Sequence, residues 1–110
     1  MKILILEDDP ERMKNFRNAF AKDEIHHAEH AHDAIELLRN NTYDLICLDH
    51  DLGGTQINFD PEDCGTIVAQ YIQEYPVDAE IIIHSYNIPA AQAMMSLIPN
   101  ARHIPEFWLM

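Results

Sequence analysis

Short apolar runs alternate along the chain with segments whose apolar residues recur at helical spacing. Lys2–Leu6 (KILIL) is apolar after its first residue and stops abruptly at Glu7-Asp8-Asp9, the pattern of a strand covered on both faces. Asp9-Pro10-Glu11 reads as a helix start, with an acceptor at the N-cap, proline at N1 and an acid in the first turn; Met13, Phe16, Ala19 and Phe20 follow at helical spacing. A weaker strand at Ile25–Glu29 leads to a helix around Asp33–Arg39, closed by Asn40-Asn41. Asp44–Leu48 (DLICL) predicts a second buried strand, ended by Asp49-His50-Asp51, and Leu52–Phe59 reads as a loop with two glycines. Asp60-Pro61-Glu62-Asp63 is the clearest helix start in the sequence, an acid at the N-cap with another at N3. Cys64, Ile67, Val68, Tyr71, Ile72 and Tyr75 then form one apolar stripe before Pro76. Glu80–Ile83 predicts a third buried strand running into His84-Ser85, Pro89–Ile98 a helix, and Ala101–Ile104 a short last strand.

Strands alternating with helices imply a parallel sheet with right-handed crossovers and helices on both faces. Five such units fit a flavodoxin-like, doubly wound α/β domain over residues 1–110, strand order 2-1-3-4-5, with the fifth helix short or absent. Ligands of such sheets bind beyond the carboxyl ends of the strands, and the polar clusters fall there. Glu7-Asp8-Asp9 ends the first strand, Asp49-His50-Asp51 the third, and His84-Ser85-Tyr86-Asn87 the fourth.

A length of 110 residues favours one domain, and 19 acidic against 7 basic residues give a formal charge of −12. That charge argues against non-specific binding to DNA, RNA or anionic lipid. No apolar run approaches a bilayer span and the first residues carry no signal-peptide pattern, so a cytoplasmic protein is expected, with no membrane partner. Cys47 and Cys64 sit inside apolar patterns and read as buried free thiols. The histidine-rich tract His26–His32 reads as polar decoration of an edge strand rather than as a metal site. The apolar tail Pro105–Met110, with the only tryptophan, is expected to pack where a fifth helix would lie; a homodimer seam through this tail is the alternative.

Several carboxylates at one rim need a compensating cation, and oxygen ligands select a hard ion, Mg²⁺ or Mn²⁺, that keeps room for a phosphate. Asp8, Asp9 and Asp49 are the candidate ligands; helix capping for Asp8 and Asp9, and a turn position for Asp49, are the structural alternatives. ILILEDDPERM, DLICLDHDL and EIIIHS together resemble the receiver domain of two-component response regulators, over nearly the whole chain. The resemblance implies that Asp8 and Asp9 are the metal-binding acidic pair and Asp49 the phosphoacceptor. It further implies that Asp51 binds metal through its backbone carbonyl and that Ser85 is the switch hydroxyl. The chain departs from that pattern in having His103-Ile104-Pro105 where receivers carry a lysine before proline, and no lysine at all beyond Lys22. Ordinary phosphorelay switching is disfavoured by that loss.

LDHDLGG, the Cys64-Gly65 helix start and IIIHSYN are similar to a narrower group, the cyclic-phosphate-processing receiver family. That resemblance implies a domain that binds or processes a phosphate, in particular a cyclic phosphate of a nucleotide or RNA end. Opening such a ring needs an activated water, a proton donor to the leaving oxygen and stabilisation of the phosphoryl oxygens. His50 and His84 are the candidate acid and base, Asp49 acts with them, and Ser85 and Asn87 are the candidate phosphate donors. Two other readings stand beside this one. The chain is either a stand-alone receiver phosphorylated on Asp49 or a degenerate receiver that docks a protein partner; alternatively Asp49-His50-Asp51 with Gly54-Thr55 resembles the DxD motif of haloacid-dehalogenase-type phosphatases, although that motif normally ends the first strand of a larger domain.

Overall fold

A computed structural model describes residues 1–52 and 61–109. The strands are β1 (Lys2–Leu6), β2 (Glu24–Ala28), β3 (Leu45–Leu48), β4 (Glu80–Ile83) and β5 (Arg102–His103); the helices are α1 (Pro10–Ala19), α2 (Ala31–Asn40), α3 (Gly65–Glu74) and α4 (Ile88–Leu97). The strands form one parallel sheet in the order β2-β1-β3-β4-β5, the flavodoxin-like arrangement expected from the alternating pattern. The expected loop Leu52–Phe59, the Gly54-Thr55 pair and Asp60 lie, apart from Leu52, outside the described residues.

Period-2 alternation in β1, β3 and β4 sorts the core into two layers. Leu4, Leu6, Ile46, Leu48, Ile81 and Ile83 face α2, α3 and α4, where Ala34, Leu38, Val68, Ile72, Ala91 and Met94 meet them. Ile3, Ile5, Leu45, Cys47 and Ile82 face the other way, onto Met13 and Phe16 of α1. Phe107 and Trp108 complete this second layer from a 3-10 turn, Phe107–Leu109, which occupies the side of the sheet that α1 leaves open. The Trp108 ring meets Phe16 edge-on at 5.2 Å, and Phe107 stacks on Phe20 at 6.0 Å. The tail therefore packs back onto α1, as its apolar composition predicts, while Leu109 points to solvent. Cys47 and Cys64 are both buried free thiols.

Helix α1 begins as its sequence indicates: Asp9 is the N-cap, its carboxylate accepting from the Glu11 backbone N–H at 2.8 Å, and proline stands in the first turn. Helix α3 does not. The start expected at Asp60–Asp63 is displaced to Gly65, with Cys64 as an N-cap that makes no side-chain bond. The reason is tertiary. The Asp63 carboxylate accepts from the backbone N–H of Ala31 at 2.7 Å and from His30 Nδ1 at 2.7 Å, so it caps α2, whose own N-cap residue His30 supplies no capping bond. Gly65 packs too tightly for any larger residue: a Cβ there would stand 2.1 Å from the Asp49 carbonyl oxygen and 2.9 Å from His50 Cα. The start of α3 is thus pressed against the end of β3.

Candidate functional site

Leu6, Leu48 and Ile83 are lateral neighbours across β1, β3 and β4, and each is the last residue of its strand. The next residues, Glu7, Asp49 and His84, keep the ladder going for one more rung: Asp49 N–H donates to the Leu6 carbonyl at 3.1 Å and His84 N–H to the Leu48 carbonyl at 2.9 Å. They also keep the alternation. Being two positions beyond Ile5, Cys47 and Ile82, they project toward α1, and all three are buried. Where the α1 layer has aliphatic side chains along the strands, its outermost row is acid, acid, imidazole.

Ligand atoms of Glu7, Asp49 and His84 lie within 4.8 Å of one another. Arg12, from the first turns of α1, closes the row. Its Nε donates to Glu7 Oε1 at 2.8 Å, and its Nη2 donates to Glu7 Oε2 at 3.1 Å and to Asp49 Oδ2 at 3.2 Å. His84 Nε2 lies 3.2 Å from Glu7 Oε1, and its ring is packed edge-on against Phe16 with a centroid separation of 4.8 Å. The other ring nitrogen, Nδ1, is buried without a hydrogen-bond partner in the described structure.

The electrostatics follow from burial and neighbours. Burial pushes the Glu7 carboxyl up, but hydrogen bonds from His84 and from the Arg12 guanidinium prevail and bring it down to about 2. Asp49 goes the other way: burial, reinforced by the negative charge of Glu7, outweighs Arg12 and the backbone N–H of His50 and pushes it up to about 8. Burial holds His84 below its ordinary value, so the ring is neutral at physiological pH. One guanidinium thus balances Glu7, and Asp49 retains a proton in the absence of a further cation.

The residues expected from the sequence divide into two groups. Asp49 and His84 belong to the row above. His50, Asp51, Ser85 and Asn87 form a second group, in which His50 and Ser85 are themselves buried: His50 Nδ1 donates to Asp51 Oδ1 at 2.6 Å, Asn87 Nδ2 reaches the same oxygen at 3.5 Å, and the Asn87 backbone N–H donates to Ser85 Oγ at 3.0 Å. The two groups join at Asp49, whose Oδ1 accepts from the His50 backbone N–H at 2.8 Å. Asn87 is also the N-cap of α4, its Oδ1 accepting from Ala90 N–H. Asp8 is half-buried beside the row, near enough for its charge to raise the Asp49 carboxyl further, and its backbone N–H donates to Glu7 Oε2 at 3.0 Å. Asp9 serves as the α1 cap and stands 3.8 Å from Arg12 Nη1, outside the three-residue set.

Glu7 and Arg12 are the two members of the site that the sequence reading did not single out. The signal for Glu7 was present as parity: in ILILE, LICLD and IIIH the polar residue replaces the next α1-facing aliphatic. Arg12 carries no such local mark, because its role depends on α1 crossing over the end of β1.

Two carboxylates and an imidazole within this span match the width of a divalent coordination sphere, about 4–5 Å. Asp49, held protonated by burial and by Glu7, is a carboxyl whose ionisation such a cation would favour. The donor set therefore fits a divalent cation, with Glu7, Asp49 and His84 as the residues that would hold it. No helix among the described residues is long and apolar enough to cross a membrane.

Comparison with known proteins agrees with this architecture. No curated protein matches the chain. Among solved structures it is similar to the Mn²⁺-bound response regulator Rcp1 (18% identity, 93% of this chain and 78% of that one, TM-score 0.67). It is also similar to response regulator TrrA from Thermotoga maritima in complex with Mg²⁺-BeF (23% identity, 94% and 84%, TM-score 0.71). A third likeness is to the response regulatory domain of mrkE from Klebsiella pneumoniae (19% identity, 94% and 82%, TM-score 0.71). The family model for the cyclic-phosphate processing receiver domain matches residues 2–100, nearly the whole of the sheet and its helices, and the chain belongs to that family.

Proposed function

We propose that this chain holds a divalent cation on Glu7, Asp49 and His84 and, beside it, a phosphate group, with a cyclic phosphate of a nucleotide or RNA end as the substrate class. The observation that carries the reading is the lateral row itself: two carboxylates and an imidazole buried at the carboxyl edge, with ligand atoms within 4.8 Å of one another. The imidazole in the donor set favours Mn²⁺ over Mg²⁺, since nitrogen ligands suit the softer ion. When bound, the cation screens the phosphoryl oxygens and polarises the phosphorus–oxygen bond.

The second group supplies the proton chemistry. Asp51 accepts from His50 Nδ1 and fixes the tautomer, which makes Nε2 the basic nitrogen of that ring. In the ring opening, His50 takes a proton from water as the water oxygen bonds to phosphorus. The bond from phosphorus to one ribose oxygen breaks, and that oxygen takes up the proton that His50 had removed from the water, giving an acyclic monoester and restoring the neutral imidazole. His84 is wholly enclosed between Phe16 and Trp108, so this reading assigns it to holding and orienting the cation rather than to exchange with solvent. Asn87 and Ser85 place hydrogen-bonding groups on the far side of Asp51, toward the N-terminus of α4.

The test is ³¹P NMR of the protein with Mn²⁺ and a 2′,3′-cyclic mononucleotide. The reading expects a monoester product that is lost in Asp49→Asn and in His50→Ala. A stable acyl phosphate on Asp49 formed from acetyl phosphate, with no ring opening, would overturn the enzymatic reading in favour of a phosphorylated receiver.

A further inference from the structure

The described structure contains all seven lysine and arginine residues of the chain, and Arg12 is the one that reaches Asp49. Lys2 is engaged at Asn41, Arg39 at Glu36 and Arg102 at Glu80, all on other parts of the surface. The receiver pattern provides a lysine before the proline that follows the last strand, and here that stretch is His103-Ile104-Pro105. Lys14 and Arg17 line a separate hollow with Asp8, Asp9 and His27, so among the described residues the cation seen against Asp49 itself is Arg12, from α1, in a chain of net charge −12.

The geometry of that cation is specific. Nε and Nη2 grip both oxygens of Glu7, and Nη2 extends to Asp49, so the guanidinium lies against two of the three proposed cation ligands. The side chain is nonetheless 27% exposed, against 0% for Glu7 and 5% for Asp49, so it forms the outer wall of the row. On its outer side the guanidinium carbon stands 5.8 Å from the ring centre of Tyr86, itself an exposed residue. A planar fork with that placement suits two oxygens of a phosphate as well as two of a carboxylate. The divalent cation and the guanidinium also compete for the same oxygens of Glu7 and Asp49.

We propose that Arg12 is the phosphate-binding cation of the site, taking the place of the missing strand-5 lysine, and that without metal it stands on Glu7 and Asp49 in the metal's stead. This rests on the divalent-cation reading above. Metal uptake releases the fork from Asp49 and turns it toward the phosphate, so metal and phosphate each strengthen the binding of the other.

The test uses Mn²⁺ and inorganic phosphate as probes, by calorimetry, on the wild type, Arg12→Met and Arg12→Lys, with circular dichroism to establish folding. Arg12→Met is expected to bind Mn²⁺ several-fold more tightly, because the competing cation is gone, and to bind phosphate at saturating Mn²⁺ about tenfold more weakly. Arg12→Lys keeps the buried charge balanced if the methionine variant does not fold; it is expected to lose a few-fold in phosphate affinity while taking up Mn²⁺ normally, since an ammonium lacks the fork. Opposite shifts for the two ligands support the assignment, because a merely structural residue would weaken both. Phosphate affinity unchanged in either folded variant, or both affinities falling together, would overturn it. A wild type that takes up no Mn²⁺ would instead remove the divalent-cation reading, and this inference with it.

Discussion

Glu7 Oε1 and His84 Nε2 lie 3.2 Å apart with neither side chain exposed to solvent, although 77 positions separate them in the chain. Burying a carboxylate is tolerable only where donors satisfy it, and His84, Arg12 and the backbone N–H groups of Asp8 and Asp9 do so here. The relationship makes Glu7 the anchor of the row.

Glu7→Gln removes the charge and leaves Arg12 one acceptor at this position in place of two. It should cost about 1–3 kcal/mol of stability, read as a lower urea midpoint at constant slope. Mn²⁺ affinity should fall with it. Asp9→Asn keeps an acceptor at the α1 N-cap and should leave both quantities nearly unchanged, which separates Glu7 from Asp9 as the ligand from β1.

Asp49 sets a pH dependence with a definite sign. Its carboxyl is pushed up to about 8 in the folded protein, first by burial and then by Glu7, against an ordinary value of 3.8. Between those values the folded state holds a proton that the unfolded state has lost, so this group's contribution to stability declines as pH rises across the window. Glu7, lowered to about 2, contributes stability that is present above its ordinary 4.5 and lost as pH falls toward 2. Cation uptake near pH 7 should expel about one proton from Asp49, a release that fades above pH 9; calorimetry in buffers of different ionisation enthalpy measures it. Asp49→Asn should abolish both the release and the declining limb.

Gly65→Ala places a methyl group 2.1 Å from the Asp49 carbonyl oxygen, a backbone atom that cannot step aside, and 2.8 Å from Met94 Cε. The substitution should cost about 1–3 kcal/mol or more and displace the end of β3. A Mn²⁺ titration of the folded fraction should show weakened uptake, since Asp49 moves with its own backbone.

Asp63 and His30 form a latch between the approach to α3 and the start of α2. Burial pushes Asp63 up, but the Ala31 N–H and His30 together prevail and hold it low; the bond to Asp63 holds His30 high. The Asp63 contribution is present above its ordinary pKa and lost on acidification. The His30 contribution is present below its ordinary 6.5 and lost as pH rises through the raised value, so the pair stabilises best in mildly acidic solution. Asp63→Ala should cost about 1 kcal/mol through loss of the α2 cap and flatten that optimum in thermal melts.

The same pair shows where sequence reasoning reached its limit. Local rules located the strands and the α1 cap because their causes, alternation and an acid beside a proline, are written within a few residues. Asp60-Pro61-Glu62-Asp63 carries the same kind of signature, yet Asp63 is taken by Ala31 from 32 positions away, and α3 begins later. The site divides similarly. Asp49 and His84 stand at strand ends and were legible as such; Glu7 obeys the same parity that sorts the core, a signal the sequence reading passed over in favour of Asp8 and Asp9. Arg12 depended on a crossing angle that no spacing encodes. The two histidines, adjacent in the expected chemistry, have different settings: His50 is paired with Asp51, and His84 is enclosed with Phe16 and Trp108.

The shared ion on Glu7, Asp49 and His84 is tested most directly by NMR with substoichiometric Mn²⁺, whose paramagnetism broadens nuclei close to it. The account predicts that signals of Glu7, Asp49 and the His84 ring bleach first, and that Asp49→Asn abolishes the effect. Broadening centred on the His26–His32 tract, or no broadening at any described residue, would contradict it.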